Sequence, residues 1–171
     1  MTDKMTNLIT KTLENATFEK AIEEMKSRPL TLTHGDFHAK NLFLTNDGKI
    51  IFTDFCEVGL GDPISDLVQY IISDVESSVR KEHEMDVLKA YWDKLIKCGV
   101  SQEEFPWDKC VQLYKTGIDR WLWFFPILSC WGYRSQYFHD QIKAFLEDHD
   151  PQSEVLTYRG LFAIHDALIP Q

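Results

Sequence analysis

Residues Leu32–Phe55 read LTHGDFHAKNLFLTNDGKIIFTDF. Short β-like runs, Leu42–Leu44 and Lys49–Phe52, lie on either side of Asn46-Asp47-Gly48. An Asp-Gly pair between apolar runs predicts a hairpin, because these residues accept the positive φ of a tight turn. The ribbon would carry Asp36 and Asn41 ahead of its first strand and Asp54 just after its second. Two carboxylates and one amide are thus expected at one end of one small ribbon.

Phosphoryl transfer has a use for that set. It needs a group to orient the attacking hydroxyl and oxygen ligands for Mg²⁺ on the phosphates, and little covalent chemistry from the protein. A kinase catalytic loop supplies these as Asp-x-x-x-x-Asn, followed by the metal-binding Asp of Asp-Phe-Gly. Asp36-Phe37-His38-Ala39-Lys40-Asn41 has that spacing, and Asp54-Phe55-Cys56 stands in the Asp-Phe-Gly place. Mg²⁺ is a hard cation that keeps several waters, so one carboxylate and one amide oxygen suffice as the protein's share.

Three ordered blocks carry a family resemblance. His34-Gly35-Asp36-Phe37-His38-Ala39-Lys40-Asn41 resembles the His-Gly-Asp-x-His-x-x-Asn loop of the aminoglycoside phosphotransferase and choline kinase-like families. Gly61-Asp62-Pro63-Ile64-Ser65-Asp66-Leu67 resembles the Gly-Asp-Pro-x-x-Asp-Leu segment that follows the metal Asp in them. The following helices, with Arg80, His83-Glu84, Tyr91 and Gly99-Val100, look most like the ecdysteroid kinase-like and acyl-CoA dehydrogenase-associated branches. The resemblance covers roughly residues 17 to 130. It implies that Asp36 is the catalytic base or hydroxyl-orienting group, that Asn41 and Asp54 bind Mg²⁺ with ATP, and that His34 and Asp66 brace the loop from behind. Cys56 departs from the Gly or Gln of many relatives, which touches loop mobility and removes no metal ligand.

The remaining composition agrees with one ordinary globular domain, 1–171. Of 171 residues, 44% are hydrophobic and 26% charged, enough for a real core. No apolar run approaches the roughly 20 residues of a membrane helix, and Met1-Thr2-Asp3-Lys4 opens no secretory leader. The cysteines at 56, 98, 110 and 130 lack Cys-x-x-Cys spacing, which argues against a zinc site or disulfide framework and for reduced cytoplasmic thiols. A net charge of −9 disfavours nucleic acid and anionic membrane as partners. It would steer a cationic small substrate, or simply solvate the surface.

Helical stripes dominate the rest. Residues 5–28 read as a helical lead-in, stopped by Pro29, and 30–55 as the catalytic loop and metal hairpin. From 62 to 169 the chain reads as a helical subdomain. The chain turns through Gly59 and Gly61, and Asp62-Pro63 starts a helix with Leu67, Val68, Ile71, Ile72 and Val75 inward. Ser78 caps a longer helix that buries Leu88, Tyr91, Trp92, Leu95 and Ile96 and ends at Gly99. Ser101-x-x-Glu104 reads as a capping box for a helix through Val111 and Tyr114 up to Pro126. A further aromatic helix runs from Pro126 to about Phe138, and a last one starts at Asp150-Pro151. Trp121, Trp123, Trp131 and Tyr133 read as core, or as an aromatic box for a quaternary ammonium group.

The predicted class is α+β, mostly α: the carboxy-terminal lobe of a kinase-like fold, with a small hairpin beside a helical bundle. A β-rich lobe with a phosphate-covering glycine loop and a strand Lys is expected elsewhere, in cis or on a partner, because residues 1–35 hold neither. Three readings follow: the catalytic lobe of a small-molecule kinase acting on a hydroxyl, an inactive kinase-like binding module, and a metal-dependent hydrolase with His34, Asp36 and His38 as ligands.

Overall fold

The computed structural model describes Lys26, residues 29–117 and residues 136–149. The chain divides into two compact units, Leu30–Ile118 and the combination of Met1–Pro29 with Asp119–Gln171. The fold is α+β, helical with two small antiparallel sheets. The helices predicted over 5–28 and from 150, and the aromatic run 121–133, lie outside the described residues.

Strand β1 (Thr31–Thr33) leads into the loop that begins at His34, and a single 3₁₀ turn, Ala39–Asn41, leads out of it. Strands β2 (Leu42–Leu44) and β3 (Ile50–Phe52) then form the expected hairpin, with Leu42 opposite Phe52, Phe43 opposite Ile51 and Leu44 opposite Ile50. Gly48 takes φ 80°, the left-handed geometry for which the Asp-Gly pair was read. The Thr45 amide accepts nothing; it donates to the Lys49 carbonyl at 2.8 Å and closes the turn.

The second sheet corrects the sequence reading. Gly59–Gly61 is no turn but strand β4, paired antiparallel with β1 so that Thr33 faces Gly59 and Thr31 faces Gly61. Glycine weakens strands, which hid this one. Here its missing side chain has a use: a Cβ on Gly61 would sit 2.9 Å from Thr33 Oγ1, so the two strands close only around glycine.

Helix α1 (Ser65–Asp74) begins two residues after Pro63, the first helical position that Asp62-Pro63 suggested. Asp62 instead caps a preceding turn: its carboxylate accepts from the Ile64 N–H at 2.9 Å and its carbonyl from the Ser65 N–H at 3.0 Å. Helix α2 (Ser77–Lys97) starts before Ser78, which therefore lies inside it rather than capping it. It ends as expected. Gly99 adopts φ 101°, its N–H donates to the Ile96 carbonyl and that of Val100 to Leu95, the Schellman pattern. Ser101 caps a turn through the Glu103 N–H, and helix α3 (Trp107–Thr116) starts only after Pro106.

These helices build the core of the unit. Ile64, Val68, Ile71 and Ile72 are buried with Leu88, Trp92, Phe105, Cys110, Leu113 and Tyr114. The Trp92 indole donates to the Phe105 carbonyl at 2.9 Å, and the Tyr91 hydroxyl donates to the Pro63 carbonyl at 2.7 Å. Burial pushes the Tyr91 phenol up to about 12 and the Cys110 thiol up to about 11. The buried stripe of α2 runs Arg80, Glu84, Leu88, Trp92, so a charged pair continues the apolar face.

In the other unit, helix α4 (Gln136–His149) carries the helical pattern past its predicted end at Phe138. Ile142 and Phe145, fully buried, extend the stripe from Phe138 at i+4 and i+7 through the polar residues between them. Among the described residues no helix is long and apolar enough to cross a membrane.

Candidate active site

The loop between β1 and the 3₁₀ turn is built on backbone donors. Asp66 on α1 accepts from the His34 N–H at 2.7 Å and the Gly35 N–H at 3.1 Å, one with each carboxylate oxygen. His34 is buried, and its Nε2 lies 2.9 Å from the Thr53 carbonyl. A carbonyl only accepts, so Nε2 carries the proton and Nδ1 is left to accept from the Asp36 N–H at 3.4 Å. The imidazole also rests against the rings of Phe37 and Phe55, at 5.8 and 4.8 Å between centroids.

Gly35 has φ 86°, and a Cβ there would meet the Glu57 carbonyl oxygen at 2.3 Å. Only glycine allows the segment after Asp54 to cross the loop this closely. His38 then caps the 3₁₀ turn, its Nδ1 accepting from the Lys40 N–H at 3.2 Å. The Ala39 N–H donates to Asp74 at the far end of α1, at 3.1 Å.

Asp36 is held from three directions. Its Oδ2 accepts from Asn41 Nδ2 at 3.2 Å and lies 3.3 Å from His38 Nε2. Its Oδ1 accepts from Gln69 Nε2 at 3.1 Å. The Asn41 amide nitrogen also reaches the Asp36 carbonyl at 2.9 Å. Both partners of that nitrogen are oxygens that only accept, so the orientation of the amide is fixed and Oδ1 of the buried Asn41 points away from Asp36.

Asn41 and Asp54 share the ribbon end. The ladder extends one step beyond β2 and β3, where the Thr53 N–H donates to the Asn41 carbonyl at 3.0 Å, and Asp54 follows directly. Asp54 is exposed and takes φ 63°, among the described residues the one non-glycine with positive φ. Holding a non-glycine residue there costs on the order of 1 kcal/mol, and such outliers gather at functional sites.

Asp54 also sets the chemistry of its neighbour. The Asp54 carboxylate, with some desolvation and the charge of Glu57, holds the exposed Cys56 thiol above its usual range. The thiolate is the nucleophile, so Cys56 reacts slowly while Asp54 is charged. Asp54→Asn removes the charge, lowers the thiol pKa and should speed iodoacetamide labelling of Cys56 severalfold at pH 8. Peptide mass spectrometry would read it, and an unchanged rate would show that the Asp54 carboxylate does not govern the thiol.

Among the described residues no group of three or more His, Cys, Asp or Glu side chains gathers into a metal cage. His34 spends both ring nitrogens on backbone partners, which takes it out of the ligand set His34, Asp36 and His38, while His38 points its Nε2 at Asp36. Lys40 is exposed. Gln69 and Asp74 escaped the sequence reading, although both sit at helical spacing from Asp66, three and eight residues on. The aromatic residues at 121, 123, 131 and 133 lie outside the described residues.

A model of the ecdysteroid kinase-like family matches residues 2–101, more than half of the chain. No curated protein and no solved structure matches it.

Proposed function

The chain belongs to the ecdysteroid kinase-like family, and from that membership and the loop geometry we propose that it is the helical lobe of a small-molecule kinase. It transfers the γ-phosphoryl group of ATP to a hydroxyl, within the wider aminoglycoside phosphotransferase and choline kinase-like group. The observation that carries the reading is Asp36, fixed by three donors at the ribbon end that also bears Asn41 and Asp54. Asp36 orients the acceptor hydroxyl and takes up its proton. Asn41 Oδ1 and the exposed Asp54 carboxylate are hard oxygen donors, a set that suits Mg²⁺ as the share a protein contributes beside water and phosphate. Mg²⁺, when bound, neutralises charge on the phosphate oxygens. His34 and Asp66 hold the loop that carries these groups.

A small acceptor is favoured over a protein. Only a short turn, closed by the Val58 N–H on the Phe55 carbonyl at 3.3 Å, separates Asp54 from β4. That leaves no peptide-binding activation loop, and no Ala-Pro-Glu follows. Choline-like, aminoglycoside-like and hydroxysterol-like alcohols are the candidate classes.

The phosphate-covering glycine loop and its Lys come from a β-rich lobe, in cis or on a partner. The apolar surface of both sheets supports this: Leu32, Leu60 and Leu44 are each more than 70% exposed, beside Phe43, Ile50 and Ile51. Exposed apolar side chains of this number fit surfaces that a further element covers.

Screening Mg²⁺-dependent phosphorylation of choline, ethanolamine, aminoglycosides and hydroxylated sterols tests the proposal, with residues 1–171 alone and joined to a β-rich lobe. Negligible turnover is expected for 1–171 alone and transfer to one of these alcohols once completed. Transfer only to protein, or none with bound Mg²⁺–ATP, would favour the alternatives.

A further inference from the structure

Helix α1 meets the catalytic loop residue by residue and in chain order. Asp66 takes the amides of His34 and Gly35, Gln69 the carboxylate of Asp36, Tyr70 the ring of Phe37 at 5.8 Å, and Asp74 the amide of Ala39. Positions 66, 69, 70 and 74 share one helical face, at steps of three and four. The lengths agree as well. From 66 to 74 a helix rises ~12 Å, and four extended residue steps from Gly35 to Ala39 span at most ~13 Å. The loop is laid along the helix, one loop residue to about two helix residues.

Gln69 is the member of this face that touches the reactive group. It is buried on α1 between Val68 and Tyr70, with the buried pair Ile71 and Ile72 following two and three residues on. A primary amide is costly in such a place unless it is hydrogen-bonded. Its Nε2 faces a carboxylate oxygen, which only accepts, so the amide orientation is set by Asp36. The other oxygen of Asp36 is held by Asn41 and His38. Without Gln69, Asn41 and His38 would both act on Oδ2, and Oδ1 could swing about it.

We propose that Gln69 is a positioning residue for Asp36, fixing the carboxylate rotamer by its Nε2–Oδ1 hydrogen bond, with Asp74 anchoring the far end of the same loop. The catalytic meaning of this rests on the kinase reading. The geometric claim does not, and the two are tested apart.

The geometric test uses NMR on the full 171-residue chain, reading the Asp36 χ1 rotamer from its Hβ couplings. Gln69→Met keeps the length and apolar stem and removes the donor. Wild type should show one rotamer, and Gln69→Met should show averaged couplings at Asp36 while Asp66, held by two backbone amides, keeps its own. A single Asp36 rotamer in a folded Gln69→Met protein overturns the proposal. Should Gln69→Met fail to fold, Asp36→Ala reads the same bond from the other side: the Gln69 side-chain amide protons should shift and exchange faster, and their indifference overturns it.

The kinetic test uses the completed kinase. Gln69→Met should lower kcat about ten- to a hundredfold with KM for ATP and alcohol unchanged. Gln69→Glu should lower it further, because it sets a carboxylate against Asp36. Burial beside Asp36 penalises a carboxylate whatever the role of the glutamine, so the deciding result is Gln69→Met: an unchanged kcat in a folded protein would overturn the positioning role. Full activity of Asp36→Asn would instead sink the kinase reading and leave the coupling result standing.

Discussion

Asp36→Asn should keep the fold and lose about two to four orders of magnitude in phosphoryl transfer, the range that a positioned general base contributes. The change is nearly isosteric, and the site can absorb it. The new amide oxygen can take the Oδ2 position and go on accepting from Asn41 and His38. The new NH₂ then faces Gln69, whose amide can turn its oxygen to it. The turned Gln69 amide gives up the acceptor of its Nε2, so the melting temperature should fall only by the few degrees that about one part-buried hydrogen bond is worth. What disappears is the negative charge and the capacity to take a proton from the acceptor alcohol. Rates measured with saturating ATP and alcohol, beside a thermal melt of each protein, check both halves. A variant within tenfold of the parent would show that Asp36 neither orients the hydroxyl nor receives its proton. A variant that melts early would show that the carboxylate is also a structural keystone, and the rate loss would then say little about chemistry.

The parts of this site that lie in one short stretch were legible in the sequence. Asn46-Asp47-Gly48 fixes a tight turn, the apolar runs beside it set the register, and the register alone carries Asn41 and Asp54 to one end. Gly99 was legible for a similar reason, since a left-handed C′ position has few other occupants. What escaped depends on distant partners. Gly59–Gly61 has the composition of a turn and becomes a strand only because β1, 26 or more residues earlier, supplies the ladder and Thr33 fills the space above Gly61. Gln69 reads as an ordinary polar residue of an amphipathic helix until Asp36, 33 residues away, is placed against it. Arg80 and Glu84 entered the sequence reading only as residues of the family resemblance, and a spacing of four on a helix by itself most often means a surface pair. Helix α3 inverts it by setting a tyrosine on the pair.

Glu84→Ala should therefore be among the most destabilising substitutions in the chain, at about 3–5 kcal/mol. Arg80 Nη1 and the Tyr114 hydroxyl both bond the same Glu84 oxygen, at 2.8 and 2.7 Å. Arg80 and Glu84 are 2% and 8% exposed in their side chains, and Tyr114 is fully buried. At a surface, an i, i+4 ion pair would contribute only about 0.3–0.5 kcal/mol. Here the alanine takes a counter-charge from a buried guanidinium, an acceptor from a buried phenol and volume from the α2–α3 contact. Burial, followed by the bond to Glu84 and its charge, already holds the Tyr114 phenol well above the usual tyrosine range. Glu84→Gln separates the terms, since it keeps the volume and an acceptor oxygen and loses the charge. It should cost less than alanine and more than a surface substitution. Urea unfolding of the three proteins gives the ordering, with the m-value checking that the unfolded state has not changed. Equal stability of Glu84→Gln and wild type would mean that hydrogen bonding and packing, rather than charge, hold α2 against α3. Equal stability of all three would remove the cluster from the core altogether.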